Sequence, residues 1–517
     1  MTDPAPPTRA TLVATLTCMP ADGELGGLAA AAWLEARADL APDLDPAELR
    51  RRLPGRPLLF TLRSRAEGGA FDGSPERRRR RILEAAPAFD LVDLEAERDL
   101  APELLAAIPP ERRIVSWHGP ATDPGGLAAR FARMAAVPAR LYKLVPGAAQ
   151  PGEELAPLLF LQALRREDVA AFASGPAGAW TRLVAPRLGA PIVYGAMAGD
   201  ARAGAPGQIP LARLVDDYGL PDLPPVTALY GIVGDPVAHS LSPRLHNGAY
   251  RALGLPALYL PFHTASFGDF WLEVVESGVL ETLGLPLRGL SVTSPFKAAA
   301  LAVAGAESPR AGRIGAANTL VLREGVWEAE STDPEGVVLP LRARGIEPAG
   351  LRAAVVGAGG AGRSAALGLA QAGAKVTLVN RTPGRGEQAA ADLRLPFLSL
   401  ARFASAPFDI LVNATSLGRD PQDPLPFAVD ALRPGAVVID LVYDADRAGP
   451  TRLLAAAAAR GVQVVGGREV LLSQALGQFR LMTGREMPAA LARRLLGIPP
   501  EASLLQSAPG ERAGGGG

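Results

Sequence analysis

The chain has 517 residues, and its 53 basic and 53 acidic side chains give a net charge of zero. This length predicts two to four domains, and the charge balance argues against a general attraction to nucleic acid. The single cysteine, Cys18, excludes an intrachain disulfide and a cysteine-based zinc site, and we predict no bound metal. No apolar run reaches the roughly 18 residues of a membrane span, and the N-terminus does not resemble a signal peptide. We therefore predict a cytoplasmic protein with no membrane partner.

Seven short apolar runs in the first 196 residues alternate with longer stretches rich in Ala, Leu and Arg. Seven or eight strand–helix repeats in about 210 residues predict a (β/α)8 barrel, with a doubly wound open sheet as the alternative. Barrel enzymes carry their catalytic residues at the C-terminal ends of the strands. The runs cover residues 11–17, 57–63, 89–95, 112–118, 139–145, 164–172 and 190–196, and the polar residues at or beyond their ends include Arg63, Glu67, His118 and Lys143.

Lysine is scarce, since only Lys143, Lys297 and Lys375 are found among the 53 basic residues. A desolvated lysine can lose its proton, whereas arginine cannot. We therefore interpret Lys143 and Lys297 as candidates for amine chemistry and Lys375 as a surface residue. The densest charge block, five arginines at 77–81 after Glu76, is typical of a solvated helix face rather than of a nucleic-acid site.

The clearest domain joint is the segment 219–227, in which three prolines predict a stiff connector. A new strand begins at about Arg352 and leads into Gly357, Gly359 and Gly362, the spacing GxGxxG. Between a strand and a helix this spacing is typical of a dinucleotide-binding turn, which brings a pyrophosphate close to the backbone and to the helix N-terminus. We include Gly360 in the turn. The next strand ends in Asn380, Arg381 and Thr382, where an arginine suits the 2′-phosphate of NADP.

Residues 228–497 resemble shikimate dehydrogenase. The resemblance rests on four segments in order: YGIVGDPVAHSLSPRLHN (230–247), SVTSPFK (291–297), IGAANTL (314–320) and STDPEG (331–336). It implies that Lys297 and Asp333 form a catalytic pair, with the lysine as proton donor. Two departures are Ser291 and Ser331, where the family usually has asparagine. The positions that it implies for substrate binding are Ser240, Ser242, Thr293, Asn318, Tyr443 and Gln474.

The first 220 residues resemble type I 3-dehydroquinate dehydratase. The matching segments are EARAD (35–39), TLRSRAEGG (61–69), SWHG (116–119), TR (181–182) and APGQ (205–208). The resemblance implies that Lys143 forms a Schiff base and that His118 is the general base, paired with Glu67. One departure is Gly204, where the family usually has serine, and the segment after His118 also differs. The residues implied in substrate binding are Glu35, Arg37, Arg63, Arg182 and Gln208.

Together the two resemblances predict a bifunctional enzyme of the shikimate pathway. It would dehydrate 3-dehydroquinate to 3-dehydroshikimate and reduce that product to shikimate with NADPH. The predicted regions are a barrel at 1–222, a substrate-binding lobe at 226–333 completed by 470–498, a Rossmann-like NADP lobe at 334–469 and a disordered tail at 499–517. Two alternatives stay open: a shikimate or quinate dehydrogenase with an inactive or regulatory barrel, and a ligand-sensing protein without catalysis.

Overall fold

The computed structural model describes residues 9–197, 205–420, 422–444 and 449–499. Gly204 and most of the predicted tail, 500–517, lie outside the described residues. The chain divides into two compact units, Met1–Ala238 with Leu255–Leu287, and His239–Gly254 with Arg288–Gly517. Within the described part of the chain, no helix is long and apolar enough to cross a membrane.

Among its described residues, the first unit contains a sheet of eight parallel strands, in which the first strand, β1, bonds to both β2 and the last strand, β8. The order β7-β6-β5-β4-β3-β2-β1-β8 makes a nearly closed (β/α)8 barrel, which confirms the predicted fold over the open-sheet alternative. The strands are β1 (Thr11–Leu16), β2 (Trp33–Arg37), β3 (Leu58–Thr61), β4 (Leu91–Glu95), β5 (Arg113–Gly119), β6 (Leu141–Pro146), β7 (Val169–Ala171) and β8 (Ile192–Ala196).

In the described part of the barrel, seven helices accompany these strands. Helices that begin at a proline after a Ser or Asp cap recur here, because the fixed φ of proline suits the first turn and the cap oxygen accepts a free N–H. Asp45, Ser74 and Asp123 are such caps. The helices are α1 (Pro46–Arg52), α2 (Pro75–Ala85), α3 (Pro102–Ala107), α4 (Pro124–Met134), α5 (Ala156–Leu164), α6 (Thr181–Val184) and α7 (Leu211–Asp216).

Strand β2 is the one barrel strand that the apolar runs did not predict. Its sequence, WLEAR, places Glu35 and Arg37 on alternate positions of the strand, both buried. Alternate residues of a strand face the same side, and Glu35 and Arg37 line the barrel cavity together. The strand escapes an apolar search because its inward positions are used for the site rather than for the core.

The arginine block falls on α2, and the prediction of a solvated face is wrong for Arg78. Its guanidinium is 4% exposed and bonds in a bidentate manner to Asp99, at 2.7 Å through both Nε and Nη2. A planar guanidinium fork matches a carboxylate in this way, which allows the charged group to be buried. Lys375, by contrast, is exposed as predicted.

After the barrel, β9 and β10 pair in parallel within the first unit. In the second unit, β13 pairs antiparallel with β11 and β14, and β12 pairs in parallel with β14. The elements in chain order are β9 (Ala228–Gly234), α8 (Ser242–Leu253), β10 (Ala257–His263), α9 (Phe267–Phe270), α10 (Val279–Thr282), β11 (Leu287–Val292), α11 (Lys297–Val303), β12 (Ala306–Glu307), α12 (Pro309–Ile314), β13 (Thr319–Arg323), β14 (Val326–Glu330) and α13 (Asp333–Arg342).

The rest of the second unit is a parallel sheet in the order β17-β16-β15-β18-β19-β20. This doubly wound order, with helices between the strands, confirms the Rossmann-like lobe. Its elements are β15 (Arg352–Val356), α14 (Gly360–Gln371), β16 (Lys375–Asn380), α15 (Pro383–Leu393), β17 (Phe397–Ser399), β18 (Ile410–Asn413), β19 (Val437–Asp440), α16 (Arg452–Ala458), β20 (Gln463–Val465), α17 (Gly467–Thr483) and α18 (Ala489–Leu495).

Candidate active sites

The barrel encloses a cavity of about 330 Å³. Parallel strands bring their C-terminal ends to one rim, so residues from distant parts of the chain meet there. Every residue that the sequence predicted for the first site lines this cavity: Glu35, Arg37, Arg63, Glu67, His118, Lys143, Arg182 and Gln208. The cavity therefore holds an amine, an imidazole, several carboxylates and three guanidinium groups.

Lys143 lies on β6 and is 3% exposed. Its Nζ donates to Asp93 Oδ2 at 2.8 Å and lies 4.7 Å from the centroid of the Tyr194 ring. Burial alone would raise the pKa of Asp93, but Arg63 and Lys143 lower it below its usual value. Asp93 is therefore a fixed negative charge that holds the amine in the cavity.

Arg63 gathers the acids of the barrel interior. Its guanidinium donates to Asp93 Oδ1 at 3.0 Å, to Glu67 Oε2 at 3.2 Å and to Glu95 Oε1 at 3.3 Å. It also donates to the hydroxyl of Ser116 at 3.0 Å. Its predicted role in substrate binding stays a prediction, because these bonds show Arg63 as the shared counter-ion of three buried carboxylates.

His118 contacts Glu67, and its burial beside several cations favours a neutral imidazole. The Glu67 Oε2 atom accepts from the backbone N–H of His118 at 2.9 Å and lies 3.2 Å from its Nδ1. Burial, with Arg63 and Lys143 nearby, lowers the pKa of His118 well below its ordinary value. Burial also raises the pKa of Glu67 to about 8, although Arg63 opposes the shift. An imidazole that stays neutral at neutral pH can act as a general base.

Three of the predicted substrate-binding side chains are already paired inside the protein. Arg37 bonds in a bidentate manner to Asp39, at 2.9 Å and 2.8 Å. Glu35 accepts from Thr15 Oγ1 at 2.7 Å and from Thr61 Oγ1 at 2.8 Å. Gln208 donates to the same Thr15 hydroxyl at 2.8 Å. These bonds hold the cavity wall in a fixed arrangement.

Arg182 differs, because its Nε and Nη2 atoms are buried without a hydrogen-bond partner among the described residues. The guanidinium lies 4.3 Å from the centroid of the Phe172 ring. Burial lowers the pKa of Arg182 to about 10, so the group remains charged at neutral pH. An unpaired buried donor costs about 1–3 kcal/mol, and more when it is charged. A ligand carboxylate would satisfy both free nitrogens at once.

Sequence reasoning missed Asp93, the carboxylate bonded to Lys143, and Tyr194, which lines the cavity. Asp93 could have been found, because Asp93 and Glu95 occupy alternate positions of β4 and both are buried. Tyr194 lies in an apolar strand, and that context predicts a core residue. Its hydroxyl oxygen is nevertheless buried without a hydrogen-bond partner in the described part of the chain.

The candidate site of the second unit is built on one pair of charged groups, Lys297 and Asp333. Lys297 opens α11 and donates from Nζ to Asp333 Oδ2, and Asp333 opens α13. The other oxygen, Asp333 Oδ1, accepts from the Asn318 side-chain amide at 2.7 Å. The side-chain oxygen of Asn318, Oδ1, in turn accepts from the backbone N–H of Thr332 at 2.9 Å. The amide fixes the carboxylate, and the carboxylate fixes the amine.

Other residues predicted for this site form a second group of contacts. The hydroxyl of Ser240 accepts from the backbone N–H of Ser242 at 3.2 Å. Burial raises the pKa of Tyr443, while hydrogen bonds with the Leu241 backbone and the Ser240 side chain oppose the shift. Thr293 is half-buried in the turn before Lys297. The structure thus brings Ser240, Ser242 and Tyr443 together.

Helix α17 contributes Gln474, which was predicted, and Gln478, which was not. Gln474 packs against the start of α13, where a Cβ added to Gly336 would lie 3.0 Å from its Nε2. Gln478 accepts from Ser291 Oγ at 3.0 Å and donates to the backbone carbonyl of Asn318 at 3.0 Å. Gln478 lies one helical turn after Gln474, so helical spacing was the available signal.

The glycine turn has the geometry of a nucleotide cradle. Gly357 has φ +116°, and a Cβ on Gly362 would lie 1.9 Å from the Gly357 carbonyl oxygen, so both positions require glycine. Nothing lies within 4 Å of a Cβ added at Gly359. A Cβ added at Gly360 would lie 3.4 Å from Lys297 Cδ, which places the turn beside the candidate proton donor.

The end of β16 is joined to this turn by Asn380. Its side chain accepts from the Ala358 N–H at 3.3 Å and donates to the Thr382 carbonyl at 2.8 Å. Arg381 is exposed beside it. An open glycine turn at a helix N-terminus with a nearby free cation fits the phosphates of NADP. In the described ranges no cluster of three or more His, Cys, Asp or Glu could hold a metal.

Comparisons with known proteins match both halves of the chain. Family models for type I 3-dehydroquinase and for the shikimate dehydrogenase substrate binding domain match residues 28–222 and 232–320. An FAD binding domain model matches residues 352–392, which include the glycine turn.

Two curated relatives and one solved structure show the extent of the likeness. The bifunctional 3-dehydroquinate dehydratase/shikimate dehydrogenase, chloroplastic, of Arabidopsis thaliana is 30% identical over 89% of this chain and 78% of its own. The shikimate dehydrogenase (NADP(+)) of Moorella thermoacetica is 40% identical over 52% of this chain and 92% of its own. A shikimate 5-dehydrogenase from Thermus thermophilus, in complex with NADP(H) and shikimate, is 35% identical over 52% of this chain and 98% of its own, with a TM-score of 0.47.

Proposed function

The chain belongs to the family of bifunctional 3-dehydroquinate dehydratase/shikimate dehydrogenases, and we propose the residues with which it performs both reactions. The barrel at 1–222 dehydrates 3-dehydroquinate to 3-dehydroshikimate. The lobe at 226–333 with 470–498 and the nucleotide lobe at 334–469 reduce that product to shikimate with NADPH.

The dehydration proceeds through a covalent imine. The neutral Lys143 amine attacks the ketone carbon and water leaves, so the resulting iminium draws electrons from the neighbouring C–H bond. His118 takes the proton of that bond and delivers it to the departing hydroxyl group. Glu67 holds the imidazole through Nδ1, which leaves Nε2 free to face the substrate. Hydrolysis of the product imine restores Lys143.

Arg182 anchors the substrate carboxylate in this mechanism. It is supported by its two free nitrogens and by its place in the same cavity as Lys143. The other polar residues of the cavity wall would bind the substrate hydroxyl groups through donor and acceptor positions that their internal hydrogen bonds do not use. These residues are Glu35, Arg37 and Gln208. Asp93 keeps the amine at the rim when no substrate is bound.

In the reduction, Lys297 protonates the carbonyl oxygen as it becomes a hydroxyl group. Asp333 and Asn318 fix the direction of that amine. Ser240, Ser242, Thr293, Tyr443 and Gln474 would hold the substrate hydroxyls and carboxylate. NADPH supplies the hydride when it is bound. The residues that would hold it are Gly357, Gly359, Gly360, Gly362, Asn380, Arg381 and Thr382.

The observation that carries the dehydratase assignment is that one barrel cavity holds a buried lysine and a buried arginine with two nitrogens that have no partner among the described residues. The test is borohydride reduction in the presence of 3-dehydroquinate, followed by peptide mass mapping. We expect the adduct on Lys143 and none on the exposed Lys375, which is the internal control. An intact Lys143 peptide would instead support the alternative of a dehydrogenase with an inactive or regulatory barrel.

The dehydrogenase assignment is tested in the same preparation by the oxidation of NADPH with 3-dehydroshikimate. Quinate and NADP, supplied together, serve as the competing substrate pair, and we expect little turnover of that pair. The cytoplasmic location predicted from the sequence stays a prediction, because the Arabidopsis relative is chloroplastic.

A further inference from the structure

Tyr194 lines the barrel cavity, and the mechanism above does not use its hydroxyl. Tyr194 is 5% exposed, and its hydroxyl oxygen has no hydrogen-bond partner within the described ranges. The nearest carboxylates are already occupied, since Glu35 accepts from two threonines and Asp93 from Lys143 and Arg63. A phenylalanine would fill the same space without burying an unpaired oxygen.

The strand geometry turns this side chain into the cavity. A Cβ added at the next residue, Gly195, would meet Leu211 Cα at 2.9 Å, so that position faces helix α7 outside the barrel. Successive residues of a strand face opposite sides, and Tyr194 therefore points inward. Its ring lines the cavity, and Lys143 Nζ lies 4.7 Å from the ring centroid.

We propose that the hydroxyl of Tyr194 is a catalytic hydrogen-bond donor in the dehydratase site. It donates to the ketone oxygen of the substrate while Lys143 adds to the carbonyl carbon, and to the same oxygen as it leaves. This inference rests on the proposed Schiff-base function and assigns a residue to its first step.

The step balances without a proton from Tyr194. The Nζ lone pair forms the C–N bond while the carbonyl π bond breaks, and the oxygen takes one proton to give a carbinolamine. A second proton converts this hydroxyl into water, which leaves as the iminium forms. One proton comes from the amine and the other from the medium by way of His118. Tyr194 stabilises the charge that develops on the oxygen and keeps its own proton.

A neutral phenol suits this place better than another cation. Burial, with Glu35 and Asp93 nearby, raises the pKa of Tyr194 well above its ordinary value, so it remains a donor throughout the neutral range. The cationic donors of the cavity suit the carboxylate, which Arg182 can bind with two nitrogens. A carbonyl oxygen next to the attacking lysine is bound by the phenol without placing a further positive charge beside that amine.

The test is the variant Y194F, which removes only the oxygen. Samples mixed with 3-dehydroquinate are quenched with borohydride at increasing times, and the Lys143 peptide is followed by mass. We expect imine formation to slow about 10²- to 10³-fold, as for the loss of one donor to a developing charge. The melting temperature should stay equal or rise, since an unpaired buried oxygen is lost. The NADPH-dependent reduction should be unchanged.

Y142F is the matched control. Tyr142 lies beside Lys143 on β6, its hydroxyl already donates to the Val137 carbonyl at 2.9 Å, and its ring packs on Phe131. We expect this variant to lose stability and to keep the wild-type rate of imine formation. Imine formation by Y194F at the wild-type rate overturns the proposal, and so does slowing accompanied by a fall in melting temperature. Absence of any Lys143 adduct in the wild type would instead refute the proposed function.

Discussion

Both candidate sites are built on a lysine that donates to an aspartate, and the difference lies in what else the aspartate binds. In the barrel, Asp93 also accepts from Arg63, so two cations share one counter-ion. In the second unit, one oxygen of Asp333 accepts from Lys297 and the other accepts from the neutral amide of Asn318. These bonds therefore connect the carboxylate to a single cation. The side chain of Lys143 is 4% exposed and that of Lys297 is 17% exposed.

In the proposed mechanisms, the same residue pair would serve two kinds of chemistry. A nucleophilic amine must give up its proton before it attacks, and the counter-ion of Lys143 also binds Arg63. A proton donor must arrive charged, and the counter-ion of Lys297 is otherwise bonded to a neutral amide. The environment of the pair, rather than the pair itself, separates the two roles.

The variant K143M should have the largest effect, since imine chemistry requires a primary amine. We expect dehydratase turnover to fall by about 10⁴-fold or more, as when an enzymic nucleophile is removed. The NADPH-dependent reduction by the same protein should be unchanged. Turnover is followed by the ultraviolet absorbance of the conjugated product. A residual rate within tenfold of the wild type would break the comparison, because Lys143 would then not be the nucleophile.

The variants K297M and D333N test the lysine–aspartate pair of the second unit. We expect each to lower the rate of 3-dehydroshikimate reduction about 10²- to 10⁴-fold, the range for loss of a general acid. The dehydratase rate serves as the control and should not change. Solvent deuterium isotope effects on kcat sharpen the contrast, since they should grow if proton transfer becomes limiting. Equal losses in both reactions would point to misfolding instead.

The variant R381S tests the nucleotide end of the second site. Arg381 is exposed at the end of β16, where it can bind a 2′-phosphate. A hydrogen-bonded ion pair contributes about 1.5–3 kcal/mol, which corresponds to about a 10- to 150-fold rise in the KM for NADPH. The KM for NADH should stay the same, and dehydration should be unaffected. An equal rise for both nucleotides would contradict the proposed phosphate contact.

The pH dependence of dehydration should show the smallest effect. Because burial and the neighbouring cations lower the pKa of His118, the base stays neutral into acidic solution. The acid limb of kcat/KM should therefore lie below the ordinary imidazole value of about 6.5. In the variant R63M the removal of one cation should move that limb to higher pH. An acid limb at or above 6.5 in the wild type would contradict the geometry of the pair.

Much of the fold and part of each site could be predicted from the sequence. The apolar runs overlap seven barrel strands, and the GxGxxG spacing marks the turn before α14. The missed parts share a cause. The apolar-run search did not find β2, whose inward side chains are charged, and the apolar neighbours of Tyr194 predict a core residue. Both errors arise because a local pattern does not reveal which side of a strand faces a cavity. Arg78 was misread as solvated because its partner, Asp99, lies 21 positions away.

Local order therefore determined the elements, the glycine turn and the candidate amines, since each depends on residues within a few positions of one another. Tertiary structure alone decided the counter-ion of Lys143. Lys143 meets Asp93 across 50 positions and His118 meets Glu67 across 51, because a parallel barrel gathers the C-terminal ends of distant strands at one rim. The same closure buried the Tyr194 hydroxyl and two Arg182 nitrogens, for which the described residues offer no hydrogen-bond partner.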